Sequence, residues 1–194
     1  MILLKIEDLL MEPNFLLILL SEDQYMDSVC DIVRSFEKTK NKICYVCLSK
    51  KHADVLCELK KNGIDTDRFI FIDTLSSHYG LPPPENNCIY LYTPNDLDLI
   101  KTTMDDIIEK EKCGIFLIDT ISDLLSYRET FFILKFAHNL TIGHDKKRIK
   151  KLFIALKDGV ILENENRELI NDLRLFADKV IELPFNKYKS AKNQ

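Results

Sequence analysis

Short apolar runs alternate with longer stretches of helical period along most of the chain. FLLILL (Phe15–Leu20) is too short for a helix of its own and reads as a buried strand. Residues 23–38 then place Tyr25, Met26, Val29, Ile32, Val33 and Phe36 on one helical face. ICYVCL (Ile43–Leu48) predicts a second strand. Ala53, Leu56, Cys57 and Leu59 mark a helix that stops at Asn62-Gly63, where glycine takes a left-handed cap without strain. FIFI (Phe69–Ile72) follows as a strand ending in Asp73.

The stretch Ser76–Asn87 contains Pro82, Pro83 and Pro84 and can be neither helix nor central strand, because proline has no N–H to donate. CIYLY (Cys88–Tyr92) predicts an additional strand. Thr93-Pro94-Asn95 is a helix start, and Leu97, Ile100, Met104, Ile107 and Ile108 continue the helical period. GIFLID (Gly114–Asp119) is the clearest buried strand, apolar on both alternate faces, and Ile115–Ile118 should rank among the most buried residues. A helix over 128–140, a strand at LFIAL (Leu152–Leu156), a helix over 165–176 and a strand at KVIEL (Lys179–Leu183) complete the series. This alternation predicts an α/β domain: a mainly parallel, twisted sheet with helices on both faces, in three layers. Ligands of such sheets bind at the carboxyl ends of the strands. One domain is expected over residues 1–185, with a polar, basic and disordered tail over 186–194. FIDTLSS (71–77) echoes LIDTISD (117–123), which reads as two strands ending at one edge under similar constraints rather than as a repeat.

Charge narrows the functions. The 194 residues carry a net charge of −4, against the positive field that general nucleic-acid or anionic-membrane binding requires. In MILLKIEDLLMEPNFLLILL, Lys5, Glu7, Asp8, Glu12 and Pro13 interrupt the apolar residues, so no stretch approaches the ~20 residues of a membrane span. A basic start and a small-residue cleavage site are both missing, and the expected location is the cytosol. The six cysteines sit mostly in apolar runs, as small hydrophobes do in a reducing compartment. Cys44 and Cys47 form a C-x-x-C, but on a strand they point to opposite faces, which favours structural cysteines over a metal site. The run Lys146-Lys147-Arg148-Ile149-Lys150-Lys151 reads as a solvated turn, with docking of an acidic partner as the alternative. His78 and Tyr79 in the proline-rich loop, and His138 and Asn139 at a helix end, are minor candidates; no two histidines have ligand spacing.

The first strand-to-helix turn is where a phosphate-binding loop would sit. Such a loop needs glycines so that successive N–H groups can wrap phosphates, a lysine for charge and a hydroxyl for magnesium. Here the turn is SEDQYMDS (Ser21–Ser28), with no glycine, no lysine and three acids, Glu22, Asp23 and Asp27. The first glycine in the chain is Gly63. Acids at a helix start favour the helix itself, because they face its positive end. The second signal is Asp119 at the end of GIFLID, which fits either a magnesium-holding aspartate or one that caps the next turn.

Five segments in order carry a family resemblance: ICYVCLSKKHADVLCELKKNGID, FIFIDTLS, TPNDLDLI, IFLIDTISDLL and FADKVIEL. From about Phe15 to Leu183 the chain resembles the RecA-type domains of archaeal KaiC-like proteins, most strongly members that also lack the phosphate loop. The resemblance implies a RecA-like fold with nucleotide chemistry at the strand ends. It also implies a pair of glutamates after the second strand to polarise the attacking water. Ser49, Lys50 and Lys51 occupy that stretch, and lysine carries the opposite charge. Of the three catalytic elements only Asp119 remains, so the resemblance implies a pseudo-ATPase.

Two functions follow. One is a non-catalytic RecA/KaiC-like domain that regulates or scaffolds through a protein partner or as a homo-oligomer, with no cofactor. The other senses a nucleotide or another phospholigand by an altered mode, using Ser21, Ser49, Lys50, Lys51 and Asp119, with ATP and magnesium as its possible ligands. The apolar residues of Met1–Leu10 suit an association surface, or else pack back on their own domain.

Overall fold

The computed structural model describes residues 14–37, 39–80, 82–142 and 149–183. The expectations for Met1–Leu10, for Lys146-Lys147-Arg148 and for the tail fall outside the described residues. The strands are β1 (Phe15–Leu20), β2 (Lys42–Cys47), β3 (Phe69–Asp73), β4 (Cys88–Tyr90), β5 (Cys113–Asp119), β6 (Lys150–Leu156) and β7 (Lys179–Glu182). The helices are α1 (Tyr25–Arg34), α2 (His52–Lys61), α3 (Leu97–Glu111), α4 (Thr130–Thr141) and α5 (Glu163–Phe176). Short 3-10 turns stand at Glu22–Gln24, Ser76–Tyr79 and Ile121–Ser126. The seven strands form one sheet in the order β4-β3-β2-β5-β6-β1-β7, and every pairing is parallel.

Strand order sets the layers. Crossovers between parallel strands are right-handed, so connections running opposite ways along the sheet leave their helices on opposite faces. The β1-to-β2 and β2-to-β3 connections run one way, and α1 and α2 pack together on one face with Leu16, Ile18, Tyr45 and Leu117. The β4-to-β5, β5-to-β6 and β6-to-β7 connections run the other way, and α3, α4 and α5 cover the face of Leu17, Val46, Phe116 and Phe153. The result is the three-layer α/β/α architecture predicted from the alternation. β5 lies fourth of the seven strands, and Ile115, Phe116, Leu117 and Ile118 are each 0% exposed. At about 1.5–3 kcal/mol for each fully buried large apolar side chain, this central strand is a main source of the sheet's stability. Cys44 and Cys47 fall in the two opposite cores, as their spacing requires.

Several local expectations need correction. The first helix ends at Arg34, short of residue 38, and β4 covers three residues rather than five. The α2 face that packs inward is His52, Val55 and Leu59, whereas Ala53 and Cys57 are exposed. Lys150 and Lys151 are not in a turn. They open β6, where Lys151 is 4% exposed and lies opposite both Phe15 and Phe116. A lysine stem has enough aliphatic length to line an interior strand while its ammonium group is carried toward the sheet edge.

Candidate functional site

Ile115, Leu117 and Asp119 alternate onto the α1 face of the sheet, so the last side chain of β5 points up under the start of α1. Two phenols meet it there. Tyr25, the first residue of α1, and Tyr45, from the neighbouring strand β2, both donate to Asp119 Oδ2. Tyr25 Oη also lies 3.1 Å from Ser49 Oγ, and Lys50 Nζ stands 5.2 Å from the centre of the Tyr25 ring. Asp119 is 1% exposed, and its Oδ1 has no hydrogen-bond partner among the described residues. Burial pushes its carboxyl up to about 6, against the two tyrosine hydrogen bonds and Lys50, while Asp123 adds to the rise. Burial and the Asp119 charge push both phenols upward, which keeps them protonated as donors at neutral pH. A carboxylate that holds a metal must present lone pairs to an open site. This one is closed in, and it ties α1, β2 and β5 together. Among the described residues no group of three or more His, Cys, Asp or Glu is placed to hold a metal ion.

The turn after β1 is closed by a different acid. Ser21 Oγ donates to Asp158 Oδ2 at 2.7 Å, and the Glu22 N–H donates to Asp158 Oδ1 at 2.8 Å. Asp158 arrives from the loop after β6, the strand beside β1. Those bonds, with Ser21 foremost, hold its carboxyl below the usual range. Gly159 lets the loop come this near: its φ is +73°, and a Cβ there would lie 2.0 Å from Glu22 Oε2. A carboxylate of the chain itself therefore takes the backbone N–H that would otherwise be offered to an anion.

Two adjoining cavities of about 370 and 360 Å³ follow the carboxyl edge and share Ser49, Lys50, Asp123 and Ser126. Tyr25, Glu22 and Ile161 line the first, and Lys51, His78 and Tyr127 the second. Of the five residues singled out in the sequence, Ser49, Lys50 and Asp119 come together around Tyr25. Ser21 turns instead to Asp158, and Lys51 precedes α2 in the second cavity. Helical and strand period register Tyr25 and Tyr45 only as apolar positions, although a buried phenol needs a polar partner, which is a usable signal. Asp158 carries a weaker one, an Asp-Gly pair one residue past the end of a strand. A larger cavity, about 510 Å³, opens at the opposite edge beside Lys42, Arg68 and Leu99, away from these residues.

Asp73 ends β3 on the same edge. Its Oδ1 accepts from the N–H groups of Leu75 and Ser76, each at 2.8 Å. Its Oδ2 accepts from the His52 N–H at 2.8 Å and from Ser76 Oγ at 2.6 Å.

No family model matches the chain, and no curated protein matches it. Solved structures do. The KaiC-like protein PH0186 from Pyrococcus horikoshii OT3 superposes over 91% of this chain and 75% of its own, with TM-score 0.56 and 11% identity. PH0250 of the same organism superposes over 90% and 84%, with TM-score 0.58 and 13% identity. The fold is RecA/KaiC-like. At such identities the likeness establishes the path of the chain and nothing about chemistry. On this sheet Ser49, Lys50 and Asp119 lie at the carboxyl ends of the strands. No described helix is long and apolar enough to cross a membrane.

Proposed function

We propose that the chain is a non-catalytic RecA/KaiC-like domain, a pseudo-ATPase that regulates or scaffolds through protein association. The observation that carries this reading is the closure of Asp119 by Tyr25 and Tyr45, with Oδ1 sealed from solvent. Phosphoryl transfer depends on metal ions and cations placed around the transferred group. An aspartate consumed by two phenols, a β1 turn filled by Asp158, and lysines where activating glutamates would stand supply none of that field. Phe131, Ile161 and Leu175, exposed by 67, 92 and 80%, are apolar surface suited to a protein partner or a second copy.

The alternative, sensing of a nucleotide or other phospholigand without turnover, draws its support from Lys50. It places a cation and the Ser49 hydroxyl on the wall common to the two edge cavities.

The deciding experiment follows phosphate release from ATP and magnesium, beside an Asp119→Asn control, together with light scattering with and without ATP. The expected result is no turnover and an association state indifferent to ATP. Turnover that Asp119→Asn abolishes overturns the proposal. A melting temperature raised by nucleotide, without turnover, transfers support to the sensing alternative.

A further inference from the structure

His52 opens α2 with its ring buried, 1% exposed, and neither ring nitrogen has a hydrogen-bond partner among the described residues. The ring packs 4.5 Å from the centre of Phe71 and 6.3 Å from that of Tyr90. Glu85 Oε1 stands 3.8 Å from His52 Nδ1, beyond hydrogen-bond length, and instead accepts from the Tyr90 hydroxyl at 2.9 Å. Glu85 belongs to a strap, Pro82–Asn87, that meets this pocket through its carboxylate. Its three prolines have no N–H with which to join the sheet. The strap is held by Glu85, by its bridge to Cys88, and by the Phe71 N–H donated to Asn87 O at 2.8 Å.

The charged groups around the ring do not balance a proton on it. Glu85 and Asp73 favour the imidazolium, Lys60 opposes it, and Asp73 is already committed to the His52 backbone N–H. Tyr90 and Cys88, from β4, are neutral. An imidazolium needs two acceptors; among the described residues Nδ1 has Glu85 at 3.8 Å, too far for a hydrogen bond, and Nε2 has none. The ring also sits at the positive end of α2, where added positive charge is unfavourable. Burial accordingly holds His52 below its ordinary range.

We propose that His52 is an acid-operated release for the Pro82–Asn87 strap: taking up a proton drives the ring from its pocket and lifts the strap off the start of α2. Above the ordinary histidine range the ring is a neutral plug against Phe71. As pH falls through about 6.5, states with the ring in water bind the proton that the packed state refuses, and they gain population. Glu85 leaves with the ring. The three-residue edge strand β4 then loses the bridge from Glu85 to Cys88.

The test combines proton NMR titration of the His52 ring, assigned by its loss in His52→Phe, with amide exchange corrected for the intrinsic effect of pH. Protection of residues 88–91 is expected to fall about tenfold for each pKa unit of depression between pH 7.5 and 5.0. Residues 116–118 in β5 are expected to hold theirs. His52→Phe should flatten the response, and Glu85→Gln, which keeps the ring, should move the His52 titration still lower. The proposal falls if His52 titrates at or above the ordinary range, or if residues 88–91 and 116–118 lose protection together. Should His52→Phe fail to fold, a Glu85→Gln titration unchanged from wild type overturns it as well.

Discussion

Asp73 and Asp119 each sit in the tripeptide Ile-Asp-Thr, each end a parallel strand, and both pair in register with Cys47 of the strand between them. Their surroundings could hardly differ more. Asp73 receives three backbone N–H groups and a serine hydroxyl, spread over both oxygens. Asp119 receives two phenols on one oxygen and nothing on the other. The difference comes from what lies above each strand end. At β3 the chain turns back tightly beside the start of α2, which arrives from β2, so unpaired N–H groups point at the acid. At β5 the start of α1 contributes the Tyr25 side chain rather than its backbone. One local sequence yields a cap in one place and a sealed anchor in the other.

The largest effect should come from Asp73→Ala, which leaves three buried or half-buried N–H groups without an acceptor. At about 1–3 kcal/mol for each stranded donor, and with less than full additivity, the expected loss is about 4 kcal/mol in urea unfolding. Asp73→Asn keeps one acceptor oxygen and should lose about half as much. A loss at Asp73→Ala smaller than that at Asp119→Ala would reverse the comparison.

Asp119 should show itself chiefly through pH. Its folded-state carboxyl is raised from 3.8 to about 6, so ionisation is penalised in the fold and unpenalised in the unfolded chain. Stability attributable to Asp119 is therefore greatest below about 4 and is lost as pH rises to about 6, by roughly 3 kcal/mol at most. His52, held below its ordinary range, acts with the opposite sign as pH falls below about 6.5, so the measurement belongs in a His52→Phe background. There, chemical denaturation at pH 4.5 and 7.5 should give a difference that Asp119→Asn removes. Tyr45→Phe withdraws one stabilising donor and should extend the window upward. A pH profile indifferent to Asp119→Asn would mean that burial places no burden on this acid.

The architecture was legible because period and strand length are properties of the chain itself. FLLILL, ICYVCL and GIFLID can only be interior strands, and their order with the helices leaves few topologies. The site was less legible. Position along the chain places Asp119 and Ser49 at the carboxyl edge, but the closing of Asp119 depends on Tyr25 and Tyr45, which helical and strand period register only as large and apolar. Lys151 misled for the opposite reason: it is charged by composition yet its stem lines an interior strand. His52 was invisible, since neither its neighbours nor its spacing distinguish a core histidine from a surface one. The acid that fills the first turn, Asp158, lies 137 residues from Ser21, a distance no local pattern spans.

The smallest effect should come from Asp158, and it sharpens the comparison by adding a third setting for a carboxylate. Asp158 is tied by two good hydrogen bonds yet remains near solvent, so water replaces much of what a substitution removes. Asp158→Ala is expected to cost about 1 kcal/mol, and Ser21→Ala, which removes one of the two bonds, about half that. The pH sense opposes that of Asp119. A carboxyl held below its usual range contributes stability that is present above that range and is lost as pH falls through the folded value. Removing Asp158 also frees the Glu22 N–H and the Ser21 hydroxyl, the two donors that could face an anion. If this turn were an anion site merely blocked by its own chain, Asp158→Ala would acquire a melting temperature that rises with inorganic phosphate. The expected result is no rise, because Glu22, Asp23 and Asp27 keep the turn negative once Asp158 is gone.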